Sequence, residues 1–224
     1  YIYIQHSSVG LIKAYNEKAF IFFDAIQTTN KFQYEDVSHI NKLHDKKIKR
    51  FKSRYRIFDK LKSKYELKIK YDVMIAPTWS TGFYNDEFYK MIKKLKNLNF
   101  NILIRPHPMS LIKNEVNERL IESLGIEIDK SNFPNLSQIN NLISDYSGIF
   151  VEFMITRYKK PILINTIEKN LNKKENERIT FEKHLRDNFS IQTSFKEMIN
   201  NNFSVLKIDQ KMDLKNTNFL NNFY

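Results

Sequence analysis

The chain has 224 residues, a formal net charge of +12 and no cysteine. The lack of cysteine excludes disulfide bonds and thiolate metal sites, and it is compatible with a reducing compartment. No apolar run is long enough to span a bilayer and no signal peptide is visible, so any membrane contact would be peripheral. Because the sequence opens directly on an apolar run at Tyr1, we expect it to be a piece of a longer protein.

The first thirty residues have the pattern of half a doubly wound α/β unit. Residues 1–4 and 25–29 predict strands, and residues 13–23 predict a helix between them. His6 follows the first strand in a turn, where an open α/β sheet often places a catalytic group. It could equally face solvent in a loop that caps the helix. Residues 33–70 contain no Gly or Pro and predict one long charged helix.

Residues 42–70 combine a dense run of Lys and Arg with apolar residues at three- and four-residue spacing. The apolar positions are Phe51, Tyr55, Phe58 and Leu61. This spacing predicts an amphipathic basic helix, which would suit a membrane surface that carries anionic lipid. A solvated face is the alternative. No zinc-ligand spacing, RNA-recognition signature or helix-turn-helix accompanies the charge, so the sequence argues against nucleic acid as a partner.

From residue 72 to residue 165 strands and helices alternate. Strands are predicted at residues 73–76, 100–104, 126–128, 142–143 and 161–164, with helices at 85–97, 111–124 and 149–156, and two later helices at 181–188 and 191–201. The alternation predicts a parallel sheet with right-handed crossovers and a ligand crevice at the carboxyl ends of the strands. No glycine-rich dinucleotide fingerprint is present, which argues against a nicotinamide or flavin enzyme.

Residues 141–165 read as strand, turn, helix and strand. A turn of small and polar residues before a helix N-terminus is where an α/β sheet usually holds a phosphate. Glu152 lies about one helical turn beyond Gly148 and could reach a ribose hydroxyl. Alternatively, Ser147 only caps the helix and Glu152 is an ordinary first-turn acid. We expect Asp145 to brace the turn by accepting backbone N–H bonds.

Three loops should meet at one edge of this sheet: residues 77–82, 105–108 and 144–148. Their hydroxyls and backbone N–H groups, with Arg105 and His107, are the donors that a pyrophosphate needs. Arg105 and His107 should point the same way, because they lie two residues apart in an extended segment with prolines. The residues predicted to bind a donor nucleotide are Thr78, Ser144, Asp145, Tyr146, Ser147, Gly148 and Glu152.

Several motifs together resemble the CDP-glycerol glycerophosphotransferase family, which contains the teichoic acid primases and polymerases. They are APTW at 76–79, RPHP at 105–108, SDYS at 144–147, the acid at 152 and KPI at 160–162. The resemblance covers residues 72–165 well and residues 1–30 loosely. It implies an α/β, GT-B-like fold. Residues 1–70 would be part of the acceptor-side Rossmann-like domain with a basic connector, 71–205 the donor-binding Rossmann-like domain and 206–224 a tail.

The same resemblance implies transfer of glycerol phosphate, or a related polyol phosphate, from a CDP-activated donor to a hydroxyl of a teichoic acid or capsule type polymer. It implies no cofactor, no metal, a polymer or lipid-linked acceptor, and a peripheral place on the cytoplasmic face of the cell membrane. His6 matches the family's general base, His107 the histidine at the donor pyrophosphate and Glu152 the acid at the ribose. His107 with Arg105 would stabilise the departing CMP phosphate.

The sequence departs from the family pattern in three loops. Residues 7–10 read SSVG where the family has Gly-Thr-Pro, Gly148 replaces a serine, and Ser80 stands where a basic residue is common. Two alternatives therefore stay open: a GT-B glycosyltransferase that uses a nucleotide sugar for capsule or lipopolysaccharide, and a non-catalytic basic module that docks through residues 42–70.

Overall fold

The computed structural model describes residues 1–5, 9–55, 68–166, 180–208 and 210–212. The chain divides into two compact units. The first contains Tyr1–Asp59, Lys169–Asn188 and Asp213–Tyr224, and the second contains Lys60–Glu168 and Phe189–Met212. Each unit has its own parallel sheet. The domain boundaries expected from the sequence remain a prediction.

The first unit contains a three-stranded parallel sheet. Its strands are β1 (Ile2–Tyr3), β2 (Ala25–Thr28) and β3 (Lys49–Lys52), in the order β1-β2-β3. Its helices are α1 (Leu11–Ala14), a 3-10 helix at Glu17–Phe20, and α2 (Lys31–His44). A core that includes Leu11, Phe20, Ile26, Val37 and Ile40 fixes α1 and α2 to the sheet.

Two helix predictions for the first unit are wrong. The helix expected at 33–70 ends at His44, because Asp45 takes a left-handed conformation with φ 48°, and residues 49–52 form a strand. The helix expected at 13–23 is interrupted, because Asn16 caps a new 3-10 helix. The basic amphipathic helix is therefore absent over residues 45–55, while Phe58 and Leu61 lie outside the described residues.

The second unit contains a six-stranded sheet in which every pairing is parallel. Its order is β6-β5-β4-β7-β8-β9. The strands are β4 (Tyr71–Ile75), β5 (Ile102–Ile104), β6 (Glu127–Ile128), β7 (Ile139–Ser144), β8 (Ile162–Ile164) and β9 (Ile191–Thr193). The predicted parallel α/β architecture is confirmed. It places the carboxyl ends of the strands, and the loops that follow them, along one edge.

Helices cover this sheet and pack on its apolar side chains. They are α3 (Asp86–Asn97), α4 (Pro108–Ile112), α5 (Glu118–Ser123), α6 (Ile149–Arg157) and α8 (Phe195–Asn200). The remaining helix, α7 (Phe181–Phe189), belongs to the first unit except for its last residue. The side chain of Asn85 caps α3 by accepting from the N–H of Phe88. The apolar face of α3 is buried at Phe88, Met91 and Leu95, and each such side chain contributes about 1.5–3 kcal/mol.

Two predictions for the second unit are also wrong. The helix expected at 111–124 is two helices, because Asn114 has φ 53° and Asn117 caps the second one. Residues 191–193 form a strand paired with β8, and a helix begins only after the capping box of Ser194 and Glu197. In both cases a polar residue starts or stops the helix where the apolar pattern runs on. No helix in the described ranges is long and apolar enough to cross a membrane.

Candidate active site

Asp145 joins three loops at the carboxyl edge of the second sheet. It follows β7, and its carboxylate is buried. It accepts hydrogen bonds from the backbone N–H of Thr78 (2.8 Å), the Thr81 hydroxyl (2.8 Å), the N–H of Ser147 (3.2 Å) and the Thr166 hydroxyl (3.5 Å). Burial raises the pKa of this carboxyl, and the N–H and hydroxyl donors oppose the rise. The carboxylate therefore holds the loops after β4, β7 and β8 together.

Ser144 connects the ends of β7 and β4 directly. Its hydroxyl is buried and donates to the carbonyl oxygen of Ala76 at 2.6 Å. This bond commits the hydroxyl to the scaffold, so a donor phosphate would have to meet other groups of the turn. Ser144 was predicted to bind the donor nucleotide, and its position at the base of the turn suits it to holding the loop.

The start of α6 lacks a side-chain cap. Gly148, and not Ser147, occupies the N-cap position, and no side-chain hydrogen bond caps the helix there. The alternative in which Ser147 only caps α6 is therefore wrong. An uncapped first turn presents backbone N–H groups and the positive end of the helix dipole to an anion. Tyr146, Ser147 and Gly148 are each half-buried beside this turn.

His107 caps the short helix α4. Its Nδ1 accepts the backbone N–H of Met109 at 3.1 Å. In the neutral ring that geometry places the proton on Nε2, which makes Nε2 the hydrogen-bond donor. The imidazole ring lies 6.2 Å from the Trp79 ring between centroids. The loops after β5 and β4 therefore meet at His107 and Trp79, next to the Thr78 N–H that Asp145 accepts.

Arg105 contacts a fourth loop, the one that follows β6. Its guanidinium donates to the Asp129 carboxylate at 2.7 Å and to the Ser131 hydroxyl at 3.3 Å. Burial alone would raise the pKa of Asp129, but hydrogen bonds from Ser131 and the nearby Arg105 charge outweigh it and hold that pKa below its usual value. Arg105 and His107 therefore contact different loops. The Asp129 carboxylate partly neutralises the Arg105 charge, which the sequence assigns to a donor phosphate.

Glu152 stands in the first turn of α6 as a partly buried carboxyl. Burial raises its pKa to about 7, and the positive charge of Arg105 opposes the rise. Within the ranges that the structure describes, no hydrogen bond or ion pair engages this carboxyl. Glu152 thus lies near Arg105 with its oxygens available to a ligand.

Glu115 was not predicted as a site residue, and it holds the turn after Trp79. Its carboxylate accepts the backbone N–H of Ser80 at 3.0 Å and the hydroxyls of Ser80 and Ser110, each at 2.9 Å. Ser80 has φ 56°, a left-handed conformation that is uncommon without support. Nothing in the sequence indicated this role, because residues 111–124 were assigned to one helix.

Lys113 is a second residue that the sequence analysis missed. Its ammonium lies 4.2 Å from the centroid of the Trp79 ring, and Nζ is 3.4 Å from the Ser80 hydroxyl. An ammonium over an indole face is a favourable cation–π contact. Lys113 therefore adds a cation beside the loop that contains Trp79.

The remaining predicted catalytic residue, His6, lies outside the described residues, so its role stays a prediction. Among the residues whose placement is described, no group of three or more His, Cys, Asp and Glu side chains could hold a metal ion. What the described loops bring together is Thr78, Asp145, Ser147 and Gly148 around the start of α6, with His107 joined to them through Trp79.

Comparison with known proteins places the chain in a family. The family model described as CDP-Glycerol:Poly(glycerophosphate) glycerophosphotransferase matches residues 39–224. The chain belongs to this glycerophosphotransferase family. The family predicted from the loop motifs is therefore confirmed. No curated protein sequence matches the chain.

The chain is similar to three solved structures of the wall teichoic acid polymerase TagF. A histidine-to-alanine variant has a TM-score of 0.58 and 17% identity, and covers 100% of this chain and 63% of that one. Two structures of one histidine-to-asparagine variant soaked with CDPG also match. The first has a TM-score of 0.52 and 19% identity, and covers 89% of this chain and 52% of that one. The second has a TM-score of 0.57 and 18% identity, and covers 100% of this chain and 62% of that one. The chain thus spans between about half and about three fifths of the length of each of these structures. The likeness confirms the predicted GT-B-like fold class.

Proposed function

We propose that this chain is the donor-binding part of an enzyme that transfers glycerol phosphate, or a related polyol phosphate, from a CDP-activated donor to a hydroxyl of a cell-surface polymer. The observation that carries the proposal is the buried Asp145 carboxylate, which holds the loops after β4, β7 and β8 at one edge of a parallel sheet. Membership of the glycerophosphotransferase family supports the choice of donor. TagF structures soaked with CDPG support it further.

In this proposal the donor pyrophosphate lies against the uncapped start of α6. The N–H groups of Gly148 and Ile149 at the start of α6 and the His107 Nε2–H would donate to its oxygens. Glu152 would accept hydrogen bonds from the ribose hydroxyls, since no described side chain occupies its carboxyl. Arg105 would add positive charge near both groups while bound to Asp129.

The chemistry is an in-line transfer at phosphorus. The acceptor oxygen forms a bond to the phosphorus that carries glycerol, and the bond from that phosphorus to the bridging oxygen breaks. CMP leaves with the bridging oxygen and its electron pair, so negative charge develops on the CMP phosphate. Donors fixed in advance at His107 and α6 stabilise that charge without reorganising. His6 would take the proton of the acceptor hydroxyl. The scheme uses no cofactor and no metal ion.

We further propose that the enzyme works at the inner face of the cell membrane on a teichoic acid or capsule type polymer attached to lipid. The net charge of +12 supports a partner rich in phosphate. TagF is named as a wall teichoic acid polymerase, which supports the class of polymer. The non-catalytic alternative has less support over residues 45–55, which do not form the expected helix, while residues 56–67 lie outside the described residues.

The experiment measures CMP release from CDP-glycerol by the full-length protein, with UDP-glucose as the competing donor. We expect turnover with CDP-glycerol and a loss of about a hundredfold in the His107→Ala variant. His107→Asn is the matched control for capping, because an asparagine oxygen can replace Nδ1 as acceptor for Met109. The His107→Asn variant should therefore have the stability of the parent while its turnover of CDP-glycerol stays low. Turnover with UDP-glucose alone, or unchanged turnover in both variants, would reject the proposal.

A further inference from the structure

The first unit contains a basic cleft that the proposed donor site does not use. It lies between α2 and β3 and has a volume of about 690 Å³. Its lining consists of Tyr34, Ser38, Asn41, Lys46, Lys47, Ile48, Lys49 and Arg50. We define these eight residues as the basic cleft.

Four of the eight lining residues are cations, and all four are exposed. In the described part of the chain none of Lys46, Lys47, Lys49 and Arg50 forms an ion pair with a carboxylate. Asp24 lies near Lys49 and offsets part of its charge. The described carboxylates therefore balance the charge of the cleft only in part, and a surface of one sign concentrates counter-ions.

The cleft is held in shape by contacts of its own residues. The Arg50 guanidinium lies 3.9 Å from the centroid of the Tyr34 ring and donates to the Tyr34 carbonyl oxygen at 3.1 Å. Asn41 donates to the Ile48 carbonyl oxygen at 3.0 Å and accepts the Ile48 N–H at 2.9 Å. These bonds fix the segment that carries Lys46 and Lys47 against α2. A guanidinium oriented in this way retains N–H groups for a phosphate.

The lining favours a chain of phosphates over a lipid surface. Its one aliphatic side chain, Ile48, is only 5% exposed, and Ser38 and Asn41 contribute polar groups. The exposed Leu43 and Phe51 lie outside this lining. Charge alone also attracts basic segments to anionic lipid, so binding to anionic vesicles is the measurement that separates a membrane from a polymer. A shallow, open polar surface suits a flexible polyanion whose phosphates lie beside the cations.

We propose that the basic cleft binds the phosphodiester backbone of the polymer that the enzyme extends. The inference rests on the proposed function, because it takes the polymer to be a poly(glycerol phosphate) or a related polyanion. Neutralising several phosphates releases their counterions, so the affinity should fall steeply with salt. A polymer held at this second site raises the effective concentration of its own growing end.

The test measures equilibrium binding of fluorescein-labelled oligo(glycerol phosphate) to the full-length protein by anisotropy. The cleft variant is Lys46→Glu with Lys47→Glu, which leaves Arg50 and its contact with Tyr34 in place. The matched control is Lys90→Glu with Lys93→Glu, the same charge change on the exposed side of α3. We expect the cleft variant to bind at least about tenfold more weakly with a shallower salt dependence, and the control to change by less than about twofold.

Three outcomes would overturn the inference. The cleft variant could bind as the parent does, both variants could lose affinity equally, or only binding to phosphatidylglycerol vesicles could fall. The last result would identify the partner as a membrane. Unfolding midpoints of both variants, measured in urea, verify that each is folded.

An activity assay gives an independent readout. The KM for a long polymer acceptor should rise in the cleft variant, while the KM for an acceptor with a single glycerol phosphate should not. Equal changes in both would contradict a polymer site. Because polymer binding requires no donor, a protein that binds polymer through the cleft but releases no CMP would reject the proposed function and not this inference.

Discussion

The carboxylate of Asp145 accepts the backbone N–H of Thr78 at 2.8 Å, across 67 residues of sequence. This bond and the one to the Thr81 hydroxyl fix the loop after β4 to the loop after β7. Since the two strands are neighbours in the sheet, one buried side chain sets the distance between two loops of the proposed pyrophosphate site. The geometry of the site therefore depends on a residue that a donor molecule need not touch.

Replacing Asp145 should lower both the free energy of unfolding and the affinity for the donor. Asp145→Ala leaves the Thr78 and Ser147 N–H groups without their acceptor, and we expect a loss of about 3 kcal/mol in the free energy of unfolding. Asp145→Asn keeps one acceptor oxygen and should lose about half as much. Urea unfolding measures both, with the exposed residue change Glu122→Ala as the control. Equal stability of Asp145→Ala and the parent would contradict this role.

Glu152 should make folding stability depend on pH. Burial raises its pKa to about 7, so near pH 6 the folded chain keeps a proton that the unfolded chain has released. The stability that the protonated Glu152 carboxyl contributes is fully present below its unfolded pKa of about 4.3. It is lost as the pH rises through its folded pKa of about 7. We expect the parent to lose up to about 3 kcal/mol over this range relative to Glu152→Gln.

The measurement for Glu152 is urea unfolding from pH 4 to pH 8. The variant Glu122→Gln, at an exposed position on α5, is the control and should follow the parent. A parent curve parallel to that of Glu152→Gln would show that the Glu152 carboxyl titrates at its ordinary value.

Lys113 should contribute to donor binding through its charge. Its ammonium lies over Trp79 and beside Ser80, close to where the donor pyrophosphate is proposed. Lys113→Gln should raise the KM for CDP-glycerol about fivefold, equivalent to about 1 kcal/mol, with a small effect on kcat. Lys113→Arg keeps the charge and the cation–π contact and should remain near the parent. Lys90→Gln controls for net charge, and a rise in KM of the same size there would assign the effect to long-range charge.

Buried polar groups hold the segment that follows His6. The Glu182 carboxylate accepts the Gly10 N–H at 2.7 Å, and the Gln33 amide donates to the Val9 carbonyl oxygen at 2.7 Å. Glu182→Ala should lower the free energy of unfolding by about 2 kcal/mol, while Glu182→Gln, which still offers an oxygen, should lose less. Hydrogen exchange at the Gly10 amide reports the bond directly. Unchanged protection in Glu182→Ala would contradict it.

The sequence predicted the central strands of the second unit well because they are buried on both faces. Continuous apolar runs such as residues 102–104 and 162–164 read clearly as strands, and Asn85 gives a clear helix start. The first unit was harder. β3 reads KRFK with every residue exposed, so only its pairing with β2 defines it as a strand. The end of α2 is equally hidden, since Asp45 takes the left-handed conformation that usually indicates glycine.

The candidate site was only partly visible in the sequence for a related reason. Loops at the ends of adjacent parallel strands can be recognised in the sequence by their small and polar residues. The side chains that hold those loops come from elsewhere: Glu115 follows the turn at Asn114, and Asp129 lies at the end of β6. Their roles depend on tertiary contacts and not on local spacing. The same limit applies to Lys113, which becomes relevant only through its contact with Trp79.

We infer that the loops at residues 77–82, 105–108 and 144–148 together hold the diphosphate of a CDP-activated donor. A crystal structure of the full-length protein with CDP-glycerol tests this inference. The pyrophosphate should lie within hydrogen-bonding distance of the first N–H groups of α6 and of His107 Nε2, with the ribose at Glu152. A donor bound away from all three loops would contradict it.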